Sequence, residues 1–157
     1  MRLLFVCHGN ICRSVMAEML MRHIVKEAGL SDTVQVDSCA TSREEIGNDI
    51  YPAAKQCLHR HGISFTRHAA RQITPADYDA FDYILCMENY NIRNLRRVIG
   101  EDLFVADAQR EQPKIHRLLD RDVADPWYTG DFETTYNDLV KGCETWLQRL
   151  GLMSVTR

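Results

Sequence analysis

Apolar and polar positions change period several times along this chain, and the changes mark its elements. Leu3-Leu4-Phe5-Val6 is an unbroken apolar run, the pattern of a strand buried on both faces. From Ser14 onward Met16, Leu20, Ile24 and Ala28 recur at helical spacing, with Ala17, Met21 and Val25 beside them, and Gly29 stands where a helix ends. Thr33 to Asp37 alternates and is β-rich, which predicts a second strand. Ile50 to His61 reads as an amphipathic helix closed by Gly62. Phe81 to Cys86 predicts a third strand, Glu88 to Val98 a helix, and Leu103-Phe104-Val105 a fourth strand. The spacing of Phe132, Tyr136, Leu139, Val140, Cys143, Trp146, Leu147 and Leu150 predicts a long last helix with Asp131 as its N-cap.

Strands alternating with helices imply βαβ units and a parallel sheet covered by helices on both faces. No repeat, low-complexity tract or linker divides the 157 residues, so a single α/β domain over 1–157 is expected. Composition narrows the class. Charged residues make up 26% and hydrophobic ones 45%, with 19 Lys+Arg against 22 Asp+Glu, a net charge of −3. That balance disfavours disorder, and it disfavours nucleic-acid partners, which need clustered positive charge. No apolar run approaches a membrane span, and Leu3 to Cys7 is too short for a secretion signal, so a cytoplasmic protein without a membrane partner is expected. The six cysteines fit free thiols in a reducing compartment better than a disulfide scaffold. His59 and His61 form an HxH pair with no supporting Cys or carboxylate cluster, so no metal is expected there.

Ligands in open parallel sheets bind beyond the C-terminal ends of the strands. The segment after the first strand, Cys7-His8-Gly9-Asn10-Ile11-Cys12-Arg13-Ser14, is the chemically richest in the chain. A cysteine six residues before an arginine is weak evidence by itself, since Cys143 and Arg149 repeat the spacing inside a continuous helical pattern. Cys7 differs in its setting. Gly9, and Asn10 as a residue tolerant of left-handed backbone, let the loop curl so that its amides converge, and the helix that follows aims its positive end at the same point. An oxyanion there would meet the amides of His8 to Arg13 and the planar fork of Arg13. Cys7 would lie beneath it as a thiolate, stabilised by that field and by the Ser14 hydroxyl. The arrangement is a nucleophile under a phosphate.

Val6 to Ser14, VCHGNICRS, resembles the signature of the low-molecular-weight protein tyrosine phosphatases. The resemblance runs through the chain: Asp37-Ser38-Cys39-Ala40-Thr41-Ser42, His68 to Thr74 (HAARQIT), Phe81 to Met87 and Asp125 to Tyr128 (DPWY) follow in the family's order and approximate spacing. It implies a four-stranded parallel sheet with the phosphate-binding loop between the first strand and first helix. It also implies activity without metal or cofactor, phosphotyrosine proteins or peptides as partners, inorganic phosphate as product, and a monomer or weak dimer. By the same resemblance Asn10, Ser14, Ser38 and His68 would form a hydrogen-bonded network behind the loop. Two positions depart from the family: His8 replaces a commonly apolar residue, and Val15 a frequent proline that would pre-organise the first helical turn.

A tyrosine oxygen leaves phosphorus poorly without a proton donor, and the phosphocysteine must then be hydrolysed by activated water. One carboxyl can serve both steps. Asp120, Asp122, Asp125 and Asp131 are the candidates. The residues favour Asp125, whose backbone Pro126 restricts and which Trp127 and Tyr128 could desolvate, although an Asp-Pro turn needs no such role. The resemblance assigns the acid to the Asp of its DP motif. Ile11, Trp127 and Tyr128 would wall a slot for a phenyl ring, and Trp127 stands where the family usually has tyrosine. Cys12 is placed to capture an oxidised Cys7 as a disulfide, while Cys39, Cys57, Cys86 and Cys143 are expected to be structural. Rival readings are a phosphoarginine phosphatase of the same family, an arsenate reductase on the same fold, and an idle phosphate-binding module. Phosphoarginine-specific relatives carry threonine at the position of Ile11, and the cysteine relay of the reductase has no evident counterpart here.

Overall fold

The computed structural model describes residues 1–154; the last three positions of the expected 1–157 domain lie outside the described residues. Four strands form one parallel sheet, β1 (Arg2–Cys7), β2 (Gln35–Ala40), β3 (Tyr83–Cys86) and β4 (Ile115–Arg117), in the order β2-β1-β3-β4. Around it lie α1 (Arg13–Glu27), α2 (Pro52–Arg60), α3 (Pro75–Ala80), α4 (Asn89–Ile99), α5 (Glu101–Ala108), α6 (Pro126–Thr129) and α7 (Phe132–Arg149).

β1 is central and buried on both faces, which is why its sequence shows no polar alternation. Leu3, Phe5 and Cys7 pack into one cluster with α1, α2 and α7, including Met16, Leu58 and the fully enclosed Trp146. Leu4 and Val6 face the other way, onto Tyr78 of α3 and Leu95 and Ile99 of α4. Each large side chain so buried contributes about 1.5–3 kcal/mol, and the two clusters fix which face each helix covers. Gly29 and Gly62 end α1 and α2 with φ of 71° and 70°, as their positions in the pattern predict.

The fourth strand is not where the apolar triplet suggested. Leu103-Phe104-Val105 lies in α5, where Glu101 and Asp102 occupy the first turn and suit the helix dipole. Val105 is 42% exposed and the Phe104 ring is covered by Arg96, so the triplet does not form a buried strand. The true β4 is Ile-His-Arg, a polar edge strand of three residues, and short polar edges resist pairing with other chains. β2 begins two residues later and ends three residues later than predicted, at Ala40. Helix α3 was not predicted, although Thr74 before Pro75, with Asp77 reaching back to Thr74, is a legible capping box.

Register decides where chemistry can gather. Cys7 pairs with Ala40, and Val6 with both Cys39 and Cys86, so three strands end level. Residues 8–13, 41–45 and 87–88 therefore emerge at one edge. Backbone bonds from Leu118 to Cys86 and from Val123 to Met87, both 2.8 Å, bring the segment before Asp125 to the same edge.

Candidate active site

A cleft of about 140 Å³ opens at that edge, lined by Cys7 through Arg13, Glu44, Glu45, Asp125, Trp127 and Tyr128. The loop turns through Asn10, whose φ of 62° is the one positive value at a non-glycine among the described residues. That conformation is held from three directions. His68 Nε2 donates to the Asn10 carbonyl at 2.8 Å, which fixes the proton on Nε2, and the Arg71 amide donates to Asn10 Oδ1 at 3.2 Å. Asn10 Nδ2 donates to Ser14 Oγ at 2.8 Å and to Ser38 Oγ at 2.9 Å. Asn10, Ser14 and Ser38 are buried, so the network is shielded from competing water.

This network sets the direction of one proton. Ser14 Oγ accepts from Asn10, so its own hydrogen is free for Cys7 Sγ, 3.0 Å away. When Cys7 is a thiolate, the hydroxyl donates to it. The Asn10 amide lies 3.3 Å from the same sulfur. Among the described residues the amides of Gly9, Ile11, Cys12 and Arg13 find no protein acceptor, and Cys12, the N-cap of α1, makes no side-chain capping bond. Uncommitted amides at the start of a 15-residue helix suit an anion.

Arg13 is 2% exposed and anchored from behind. Its Nη1 donates to Glu88 Oε2 and to the Val123 carbonyl, both at 2.9 Å, and Nη2 donates to Asp125 Oδ2 at 3.3 Å. Of five guanidinium hydrogens, three are thus placed, and Nε–H with one Nη2–H remains for two oxygens of an oxyanion. Burial alone would lower the guanidinium; the charges of Cys7, Asp125 and Glu88 outweigh it and hold Arg13 above its ordinary range. Asp125 also caps α6, its Oδ1 accepting from the Trp127 amide at 3.0 Å. Asp131 is the cap of α7, bonded to Thr134, and Asp120 and Asp122 belong to the turn held by Arg117.

The aromatic wall stands partly outside the core. Trp127 lies edge-on to Tyr51 with centroids 5.0 Å apart, and Tyr128 is 83% exposed. Trp127 thus also covers the core edge at Tyr51, while both aromatics line the cleft. Ile11 is 8% exposed and joins the large core cluster, so it forms wall rather than entrance. His8 pairs with Glu44 at 3.0 Å at the rim. Cys12 is pushed up to about 12 by burial and by the nearby charges of Cys7 and Asp125, which keeps it a thiol beside the candidate nucleophile.

Two supporting residues escaped the sequence reading. Glu88, just after β3, carries Arg13 from 75 positions away. Glu18 is buried on α1, accepts the Ser38 hydroxyl at 2.6 Å and pairs with Arg22. Burial raises its carboxyl above the ordinary range, against the lowering effects of Ser38 and Arg22. Glu18 falls outside the apolar positions read for this helix, so the sequence pattern gave no signal of its burial. The HxH pair also needs correction: His59 stands apart, while His61 meets Cys57 and Glu133, a carboxylate 72 residues later.

The model of the low molecular weight phosphotyrosine protein phosphatases matches residues 2–154. The chain belongs to that family. The human low molecular weight phosphotyrosine protein phosphatase is 41% identical over 154 residues, covering 93% of each chain. The crystal structure of YfkJ from Bacillus subtilis superposes with a TM-score of 0.85 at 37% identity, covering 96% of this chain and 94% of that one. A drosophila arginine phosphatase superposes with a TM-score of 0.80 at 31% identity, covering 96% and 98%. Low-molecular-weight phosphatases are hydrolases, and the single α/β domain of this chain, with its four-stranded parallel sheet, superposes on a solved relative over nearly its whole length. Among the described residues no helix is long and apolar enough to cross a membrane.

Proposed function

We propose that this chain hydrolyses phosphotyrosine in proteins and peptides through a phosphocysteine on Cys7. The observation that carries the reading is that Cys7, Arg13 and Asp125 line one cleft, with Arg13 bonded to Asp125. In the first step the thiolate attacks phosphorus, Asp125 gives its proton to the departing aryl oxygen, and the P–O bond breaks as the P–S bond forms. In the second, the Asp125 carboxylate takes a proton from water, the water oxygen bonds to phosphorus, and the P–S pair returns to sulfur. Arg13 and the loop amides hold the phosphoryl oxygens throughout. Glu88 is a positioning residue for Arg13, while Glu18, Ser38 and His68 position the loop. Turnover of an aryl phosphate in EDTA tests the reading; an inert protein with intact fold would overturn it. A cytoplasmic setting suits six free, buried thiols.

Substrate choice follows from the wall. Ile11, Trp127 and Tyr128 offer apolar and aromatic contact to a flat ring, and the Ile11 side chain offers no hydrogen bond to a guanidinium. A clear kcat/KM preference for phosphotyrosine over phosphoarginine and phosphoserine peptides is expected, and Ile11→Thr should narrow the gap to phosphoarginine. Faster hydrolysis of phosphoarginine by the wild type would move the chain to the activity named for its drosophila neighbour. Reduction of arsenate is disfavoured by burial: Cys39 and Cys86 are enclosed in the sheet and held as thiols.

Cys12 protects Cys7. Oxidation of Cys7 to the sulfenic acid, followed by attack of the Cys12 sulfur with loss of water, gives a disulfide that a thiol reductant reopens. Cys12→Ser should retain activity but recover poorly after peroxide and dithiothreitol. Peptide mapping that paired Cys7 with another cysteine would refute the role.

A further inference from the structure

Away from the cleft, one group of side chains has a chemistry the phosphatase reaction does not use. Cys57 lies in α2 and His61 caps its C-terminal end, four residues later, so both face the same way. Glu133 in the first turn of α7 meets them. One ligand atom from each of the three lies within 4.8 Å of the other two. We propose that Cys57, His61 and Glu133 bind a divalent transition-metal ion of the zinc type, joining the end of α2 to the start of α7.

The distances suit such an ion. Zinc bonds of about 2.0–2.3 Å in a tetrahedron put neighbouring ligand atoms roughly 3.3–3.6 Å apart. Cys57 Sγ is 3.7 Å from Glu133 Oε1, and His61 Nε2 is 2.6 Å from Oε2. The His61–Glu133 pair must open by less than about one ångström on that geometry, and the Cys57 and His61 ligand atoms lie within 4.8 Å of each other. The His61 ring is stacked on Tyr136, centroids 3.7 Å apart and planes 10° apart, and this contact holds its plane while Nε2 faces Glu133. A thiolate, an imidazole and one carboxylate select zinc-like ions and reject magnesium and calcium, which require oxygen donors. Solvent reaches the fourth position past His61 and Glu133, whose side chains are part-exposed.

Arg60 is the competitor. Its Nε and Nη2 both lie on Glu133 Oε1, at 3.0 and 2.7 Å, and leave Oε2 to His61. That exposed contact is of the kind worth little in water, so the guanidinium yields to an ion with three direct ligands. Burial and then Glu133 push the Cys57 thiol up to about 11. Phe132, beside Glu133, stacks on Tyr51, which carries Trp127, so the ion would brace the frame behind the aromatic wall.

Cobalt(II) titration tests this with a readout other than activity. The background is the Cys7→Ser, Cys12→Ser protein, which removes the two thiols of the cleft. One equivalent of cobalt should give a thiolate-to-cobalt charge-transfer band that zinc then abolishes. Cys57→Ser should remove the band. Glu133→Gln, at a part-exposed site that does not threaten the fold, should weaken cobalt binding about tenfold or more, and Arg60→Ala should tighten it. Absence of the band at saturating cobalt, its survival in Cys57→Ser, or unchanged affinity in Glu133→Gln would overturn the proposal.

Discussion

Cys7→Ser is expected to abolish turnover of aryl phosphates while the fold and phosphate affinity persist. The hydroxyl is a far weaker nucleophile than a thiolate at neutral pH, whereas the cradle that binds the anion is made by backbone amides and Arg13. Folding should survive because Cys7 sits at the end of a strand and serine, the smaller side chain, can keep its contacts with Ser14 and the Asn10 amide. Arg13→Lys should be nearly as damaging for a different reason. Arg13 meets Glu88, the Val123 carbonyl and Asp125 at once and still keeps two hydrogens for the substrate. A lysine ammonium has three donors and no fork. Phosphate binding measured by calorimetry separates the two variants: it should persist in Cys7→Ser and weaken in Arg13→Lys. More than a few per cent of wild-type activity in Cys7→Ser would rule out the phosphocysteine.

Loss of the acid should depend on the leaving group. Asp125→Ala is expected to lower kcat by roughly 10²–10⁴-fold for phosphotyrosine and other poor leaving groups. For strongly acidic phenols, which depart without protonation, the loss should be much smaller. The measurement is a plot of rate against leaving-group pKa for both proteins, and the variant should show the steeper slope. Parallel slopes would mean that Asp125 serves only as the cap of α6. That alternative is concrete, because Oδ1 does accept the Trp127 amide. Asp125→Asn keeps the cap and removes the acid, so it should behave as Asp125→Ala does if the acid role holds.

The sequence by itself determined the elements whose stability is local. The apolar run of β1, the helical spacing of α1 and α7, and the cradle between β1 and α1 are written in consecutive residues, where backbone preference and periodicity act directly. It also carried the loop chemistry, since Cys7, Gly9, Asn10 and Arg13 lie within seven positions. The family resemblance added Ser38 and His68, which the residues alone would have left as a strand-end serine and an ordinary histidine, and it tied Asp125, already favoured among the acids, to the proton-donor role.

Tertiary structure decided what joins distant residues. The edge strand β4 is three part-exposed residues with no periodic signal, and it exists because β3 offers it a ladder. Glu88 and Asp125 reach Arg13 across 75 and 112 positions, and Glu133 reaches His61 across 72. No periodicity encodes such contacts. They follow from register, because three parallel strands ending level bring their loops to one edge, and from the two buried clusters that fix how α2 and α7 meet.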